Sequence, residues 1–314
     1  MRISRMLALG ASIMVLVGAC STGGSGSSSS QTVAGATGAA NVTIKMGSDG
    51  FYESQLMAEI YAQALEGKGY KIDRTGMGLG TRKVTAAALE SGKIDIKPEY
   101  IGSGLAFYQG TATGDPAANE QALQKILAGK GGGITVLNYS PAADQNAFVV
   151  TKATSTKDNL TTLDQVAAIN PPLKFGVATD CSTNPVCAAA LKSAYGIDVS
   201  NALPLSACDQ PMVSALKAGT IDVGELCSTQ PDIAQNGWVV LADDKHTQPA
   251  DNIAPLVRND LLAKVDKASF EAILNNVSAK MTTDKLTQLN AEYVFDKKDI
   301  ATIAKEWLTQ AGLP

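Results

Sequence analysis

A chain of 314 residues with a single histidine, His246, has few ways to assemble acid–base or nucleophilic chemistry. A Ser/His/Asp triad, a Cys/His dyad or a histidine-rich zinc site would each have to be built around that one imidazole. No GxSxG elbow and no CxxC pair occurs, so the usual signatures of a secreted hydrolase or a thiol oxidoreductase are missing. The run Gly76-Met77-Gly78-Leu79-Gly80 resembles a phosphate cradle but lacks the Lys-Ser/Thr ending. It reads instead as a loop that lets backbone or ligand approach closely. His246 itself reads as an exposed or hinge-side residue, and no catalytic residue, metal site or cofactor is expected.

The cysteines point elsewhere. Residues 1–19 place Arg2 and Arg5 before the apolar run Met6–Val17, which is too short to span a bilayer, and small residues precede Cys20. This is the pattern of an export leader, and Val17-Gly18-Ala19-Cys20 looks like a lipobox that would leave a lipidated Cys20 as the new N-terminus. Residues 21–40 carry no charge and nothing large enough to pack, so residues 20–40 read as a lipidated cysteine and a flexible Ser/Gly tether. Cys181, Cys187, Cys208 and Cys227 remain. An even number in an exported chain favours two disulfides, for which sequence permits three pairings. Cys181–Cys187 and Cys208–Cys227 are the favoured pair.

Composition bounds the class further. With 45% hydrophobic, 18% charged and 5% aromatic residues, the chain has enough apolar content for two cored lobes and is unlike collagen, coiled coil or a disordered polymer. A net charge of -4, without a Lys/Arg cluster, speaks against a nucleic-acid partner.

The elements that must position any site alternate. Strands are expected at Val42–Met46, Tyr70–Asp73 and Lys93–Lys97, with helices at Glu53–Glu66 and Thr81–Ser91 between them. The alternation returns in Lys174–Ala178, Val186–Ala194, Ala202–Leu205, Met212–Ala218 and Ile221–Leu226, and it implies parallel sheets covered on both faces. Amphipathic helices at Lys264–Met281 and Asp299–Ala311 close the chain and are expected to pack on the first lobe. Ala88–Ile96 and Ala215–Val223 are identical at five of nine positions, each a helix end, a capping glycine and a strand. The echo suggests two lobes of similar construction. Ligands of open α/β sheets sit beyond the carboxyl ends of strands, so Lys97–Ser103 and Gly224–Thr229 should line a crevice. Cys208 and Cys227 would then meet at one sheet edge.

Several segments together resemble the substrate-binding proteins of glycine betaine/choline-type osmoprotectant ABC transporters, over about residues 42–313. They are Ile44-Lys45-Met46-Gly47-Ser48 with Phe51 and Glu53, Ala88-Leu89, Gly92, Ile94-Asp95, Glu99-Tyr100-Ile101-Gly102-Ser103, Leu241-Ala242-Asp243-Asp244-Lys245, Leu289-Asn290, Tyr293, Lys297-Lys298-Asp299, Ile303-Ala304 and Gly312-Leu313. The resemblance implies an α/β, two-lobe type II periplasmic-binding-protein fold with a ligand cleft between lobes. Residues 41–152 and 247–314 would form lobe 1 and residues 153–246 lobe 2. It implies a lipid-anchored, extracytoplasmic, monomeric receptor that delivers a small polar ligand to a permease driven by an ATPase subunit. The ligand would be glycine betaine, choline or a related osmoprotectant; the alternatives are a receptor of the same fold for a non-betaine ligand or a sensory lipoprotein, ahead of a secreted hydrolase.

In that family a tyrosine cage holds the ligand's quaternary ammonium and an arginine or similar donor holds its carboxylate. Carried over by position, Tyr100 is the cage tyrosine, with a half-buried core tyrosine as the other reading. Of Phe51 and Tyr52, one ring would face the cleft and one the core. Ser228 and Thr229 would bond the ligand or cap the next helix. Asp49, Arg82, Ser103, Asn146 and Asp180 complete the candidate set. Five departures leave the ligand open: Ala143 stands for the family's arginine, Asn146 for a tyrosine, Cys227 for an aromatic and Asp49 for a lysine, and the loop Thr179–Pro185, where further contacts are expected, has neither aromatic nor arginine. A betaine would lack its carboxylate partner unless Arg82 supplied it, and Asp49, Asp144, Asp180 and Asp209 suit a cationic or hydroxyl-rich ligand.

Overall fold

The computed structural model describes residues 42–314; the export leader, Cys20 and the tether read from the sequence lie outside the described residues. Strands β1 (Thr43–Gly47), β2 (Lys71–Gly76), β3 (Ile96–Tyr100) and β4 (Ile134–Val136) belong to one sheet. The chain then enters a second sheet through β5 (Asn146–Val150), β6 (Phe175–Ala178), β7 (Leu203–Leu205), β8 (Val223–Cys227) and β9 (Val239–Val240), and returns to the first as β10 (Ile253–Arg258). The two orders, β2-β1-β3-β10-β4 and β7-β6-β8-β5-β9, are the same arrangement written twice.

Neither sheet is purely parallel, contrary to the expectation from alternation. The strand that arrives from the other lobe runs antiparallel to its neighbours: β10 against β3 and β4, β5 against β8 and β9. An alternating βα pattern reports only strands joined within a lobe, and these two enter from outside it. β5 also falls inside the 41–152 span expected for lobe 1 but pairs wholly in the second sheet, because its run Ala147-Phe148-Val149-Val150 buries both faces there.

The sequence echo is repeated in the backbone bonds. After the helix Arg82–Glu90, Gly92 turns at φ +75° and the N–H groups of Lys93 and Ile94 both close on Ala88 O. After the helix Gln210–Lys217, Gly219 turns at φ +68° and Thr220 and Ile221 both close on Ala215 O. Asp95 then ties to the backbone of Lys45, and Asp222 to that of Lys174, in the same two-bond clamp. These turns take up residues read as strand, so β3 starts at Ile96 and β8 at Val223. The later start places Tyr100 and Cys227 at equivalent strand ends.

The helix Tyr52–Glu66 lies between the first sheet and the C-terminal helices Lys267–Lys280, Thr283–Val294 and Ile300–Gln310. Leu56, Met57, Ile60, Tyr61 and Leu65 pack with Phe270, Leu274, Leu286, Ile303 and Trp307 in one core. Burying such a side chain contributes on the order of 2 kcal/mol. The helix Thr283–Val294 had no counterpart in the sequence reading; its Thr282 hydroxyl accepts from Lys285 N–H as an N-cap. The second lobe has its own core around Phe148, Phe175, Val177, Leu191 and Val223, with Met212 and Leu216 on the sheet's other face. The expected helix Val186–Ala194 is one turn, Ala188–Ala190, running into a wider π turn to Tyr195.

Candidate functional site

The carboxyl ends of β1, β3, β6 and β8 border a cavity of about 360 Å³. Residues 49–51, 80–82, Tyr100 and Ser103 line it from the first lobe; residues 178–180, Asn184, 206–208, Glu225 and Cys227 line it from the second. Asp144, Asn146 and Asp251 complete the wall where the chain crosses between sheets, and there Ala143 bridges Asn252. Both segments expected from the echo to face a crevice contribute residues to it. Of the ten residues singled out from sequence, Asp49, Phe51, Arg82, Tyr100, Ser103, Asn146 and Asp180 line this cavity.

Phe51 and Tyr52 point apart. Phe51 is half-buried at the cavity, 5.6 Å from the Tyr100 ring centroid, whereas Tyr52 is buried behind it and stacks on Tyr293 at 5.0 Å. Consecutive residues at a helix start cannot share a face, so only one ring can serve the cavity. Tyr100 is 4% exposed and presents its ring to the cavity, while its hydroxyl donates to Glu53 Oε1 at 2.7 Å. Burial and the Glu53 carboxylate hold that hydroxyl protonated.

Below Asp49 the floor of the first lobe is a buried ion network. Lys97 Nζ, with 0% exposure, donates to Asp49 at 2.9 Å, Glu99 at 3.0 Å and the Thr85 hydroxyl at 3.1 Å. Arg82 donates to Glu99 at 3.0 Å and to the Ser103 hydroxyl at 2.6 Å. Burial opposes charge on Lys97, but Asp49 and Glu99 outweigh it and raise its pKa; burial also opposes charge on Glu99, and Arg82 with Lys97 outweighs it and lowers its pKa. Two cations and two carboxylates therefore neutralise one another. Arg82, the one basic residue among those lining the cavity, is already engaged.

Ser228 and Thr229 bond buried carboxyls and do not cap the next helix. They are not among the lining residues, and the next helix, Asp232–Gln235, begins after Pro231 without a side-chain cap. The Ser228 hydroxyl donates to Asp144 at 3.1 Å, the Thr229 N–H donates to the same carboxyl at 3.0 Å, and the Thr229 hydroxyl donates to Glu53 at 2.5 Å. Asn290 donates to Glu53 as well. Glu53 thus joins helix Tyr52–Glu66, the second-lobe loop and the C-terminal helices. Burial raises the pKa of both Glu53 and Asp144, and their proximity raises Asp144 further. Asp209 is an N-cap, accepting from Gln210 N–H, and does not line the cavity.

Two acids escaped the sequence reading. Glu225 is 1% exposed, and burial pushes its carboxyl up to about 7. Asp251 accepts the Gly102 and Ser103 N–H groups, and burial pushes it up to about 6. The signal for Glu225 was present: it is the charged residue in the run Val223-Gly224-Glu225-Leu226-Cys227. The disulfides pair as favoured, Cys181–Cys187 with Cα atoms 5.1 Å apart and Cys208–Cys227 with Cα atoms 4.9 Å apart. Cys208 and Cys227 are themselves cavity wall. His246 is exposed in a turn at φ +53°.

Two α/β lobes of like topology meeting at a polar cavity define a solute receptor. Residues 42–310 match the family described as the substrate binding domain of ABC-type glycine betaine transport systems, and the chain belongs to that family. It is similar to the glycine betaine-binding protein YehZ of Escherichia coli (strain K12), with 25% identity over 86% of this chain and 90% of the relative. It is also similar to the carnitine transport binding protein OpuCC of Listeria monocytogenes, with 26% identity over 89% of this chain and 90% of the relative. Among solved structures, a glycine betaine/carnitine/choline ABC transporter protein superposes with a TM-score of 0.67 at 25% identity, covering 87% of this chain and 99% of the other. The protein is a substrate-binding protein of this importer family, whose members serve transport and not catalysis. Its partners are accordingly a small molecule and an importer permease. Among the described residues no helix is long and apolar enough to cross a membrane.

Proposed function

We propose that this protein captures a small organic cation without a carboxylate, a choline-type ligand, and delivers it from a lipid anchor at Cys20 to a permease driven by an ATPase subunit. The observation that carries the ligand class is the engagement of Arg82. Its guanidinium bonds Glu99 and Ser103, so a betaine carboxylate entering the cavity meets no free cationic partner. Asp180, an exposed acid of the lining, favours a positive guest over a zwitterion. The Phe51 and Tyr100 rings supply apolar and cation–π contact, on the order of 1–2 kcal/mol where water is excluded. The receptor acts as a monomer, lobe 1 being the first sheet with the C-terminal helices and lobe 2 the second sheet.

A thermal-shift titration of the purified chain with choline, glycine betaine and carnitine tests this. Choline at a hundred times its Kd should stabilise by about 2.7 kcal/mol, while the two zwitterions should need at least about tenfold higher concentration for the same shift. Equal or tighter binding of glycine betaine would refute the assignment. Anchoring is tested separately: Cys20→Ser should abolish incorporation of labelled fatty acid and release the protein from membranes.

A further inference from the structure

We propose that Glu225 is the specificity-determining residue of the cavity, accepting a polar hydrogen, O–H or N–H, from the bound ligand. The ligand is then an organic cation that carries such a donor, and a fully capped ammonium is discriminated against. This inference rests on the organic-cation reading above and narrows it.

Glu225 lies in β8, the middle strand of the second sheet, bonded to β6 on one side and β5 on the other. That pairing fixes its backbone, and Glu225 is 1% exposed. Oε2 accepts the Ala178 N–H at 2.7 Å, at the carboxyl end of β6. Cys187 Sγ lies 3.3 Å from Oε2 but belongs to the Cys181–Cys187 disulfide and has no hydrogen to give. Oε1 is buried with no hydrogen-bond partner among the described residues, and Glu225 lines the cavity. Buried polar atoms are almost always matched. The missing donor is assigned to the ligand.

The surroundings select the donor's charge. Asp180 stands at the rim beside Glu225, and a cation entering there favours the ionised, accepting form of Glu225 over the protonated one, which a neutral molecule does not. A trimethylammonium group presents only C–H to an oxygen. A hydroxyl two carbons away, or an ammonium N–H, presents the missing donor while the methyl groups face Phe51 and Tyr100. A site built around an unmatched acceptor rejects analogues that cannot supply the hydrogen.

The test is calorimetric titration of the purified, oxidised full chain with choline and with choline methyl ether, which keeps the cation and caps the hydroxyl. Choline should bind at least about tenfold more tightly. In Glu225→Met, which keeps side-chain length and removes both oxygens, the two should bind within about twofold of each other. The inference is overturned if the parent protein binds both equally, or if the preference for choline survives in Glu225→Met. The parent comparison needs no mutant and so is independent of how the variant folds. If glycine betaine binds and neither choline nor its ether does, the organic-cation reading fails, and this inference with it.

Discussion

Tyr100 and Glu53 show how one bond can set the chemistry of a ring. With its hydroxyl committed to Glu53, Tyr100 offers the cavity a π face and no polar hydrogen. Glu225 is the converse, a carboxyl at the cavity with one oxygen committed and the other without a partner among the described residues. Its pKa has a measurable consequence. Burial lifts it from 4.5 to about 7, so the folded state holds a proton that the unfolded chain releases. Stability from this group is full below pH 4.5 and is lost as pH rises toward 7, a loss of about 3 kcal/mol once both states are ionised. Glu225→Gln removes the loss. The variant's melting temperature relative to the parent should therefore rise between pH 5 and pH 8; a gap that stays constant over that range would show that Glu225 does not titrate in this way.

At the scale of elements, the helix–glycine–strand unit repeated at Gly92 and Gly219 makes the sharpest prediction. Gly219 sits at φ +68° with open space where a Cβ would be, so Gly219→Ala isolates the backbone cost. It should destabilise by about 1 kcal/mol, read as a lower denaturant midpoint with unchanged slope. A midpoint equal to the parent's would remove the left-handed turn as an explanation of the echo. This unit was legible in sequence because its determinants are local: periodicity, a glycine and an aspartate. The strands that change lobes were not, since β5 and β10 owe their place to partners over 70 residues away, such as the pairing of Asn146 with Cys227 and of Ile253 with Tyr100. The site divides likewise. Phe51, Arg82, Tyr100 and Ser103 follow strand ends and could be read, but whether Arg82 was free depended on Glu99 turning inward, which no spacing reveals.

The whole molecule depends on contacts between distant parts of the chain. Glu53 accepts from Tyr100, Thr229 and Asn290, so the first lobe, the second lobe and the C-terminal helices converge on one carboxyl. Removing one donor to a buried carboxylate costs about 1–3 kcal/mol. Thr229→Val should lower the melting temperature and weaken choline binding although Thr229 lies outside the cavity lining. A variant with parental stability and affinity would show that the two lobes do not communicate through Glu53. The Cys208–Cys227 bridge bears on how such experiments are prepared. Its two residues are cavity wall, so dithiothreitol in the buffer, or production in a reducing cytosol, should loosen the cavity lining by opening the bridge. A flat titration obtained with free thiols describes the preparation, and a thiol assay belongs before every ligand screen.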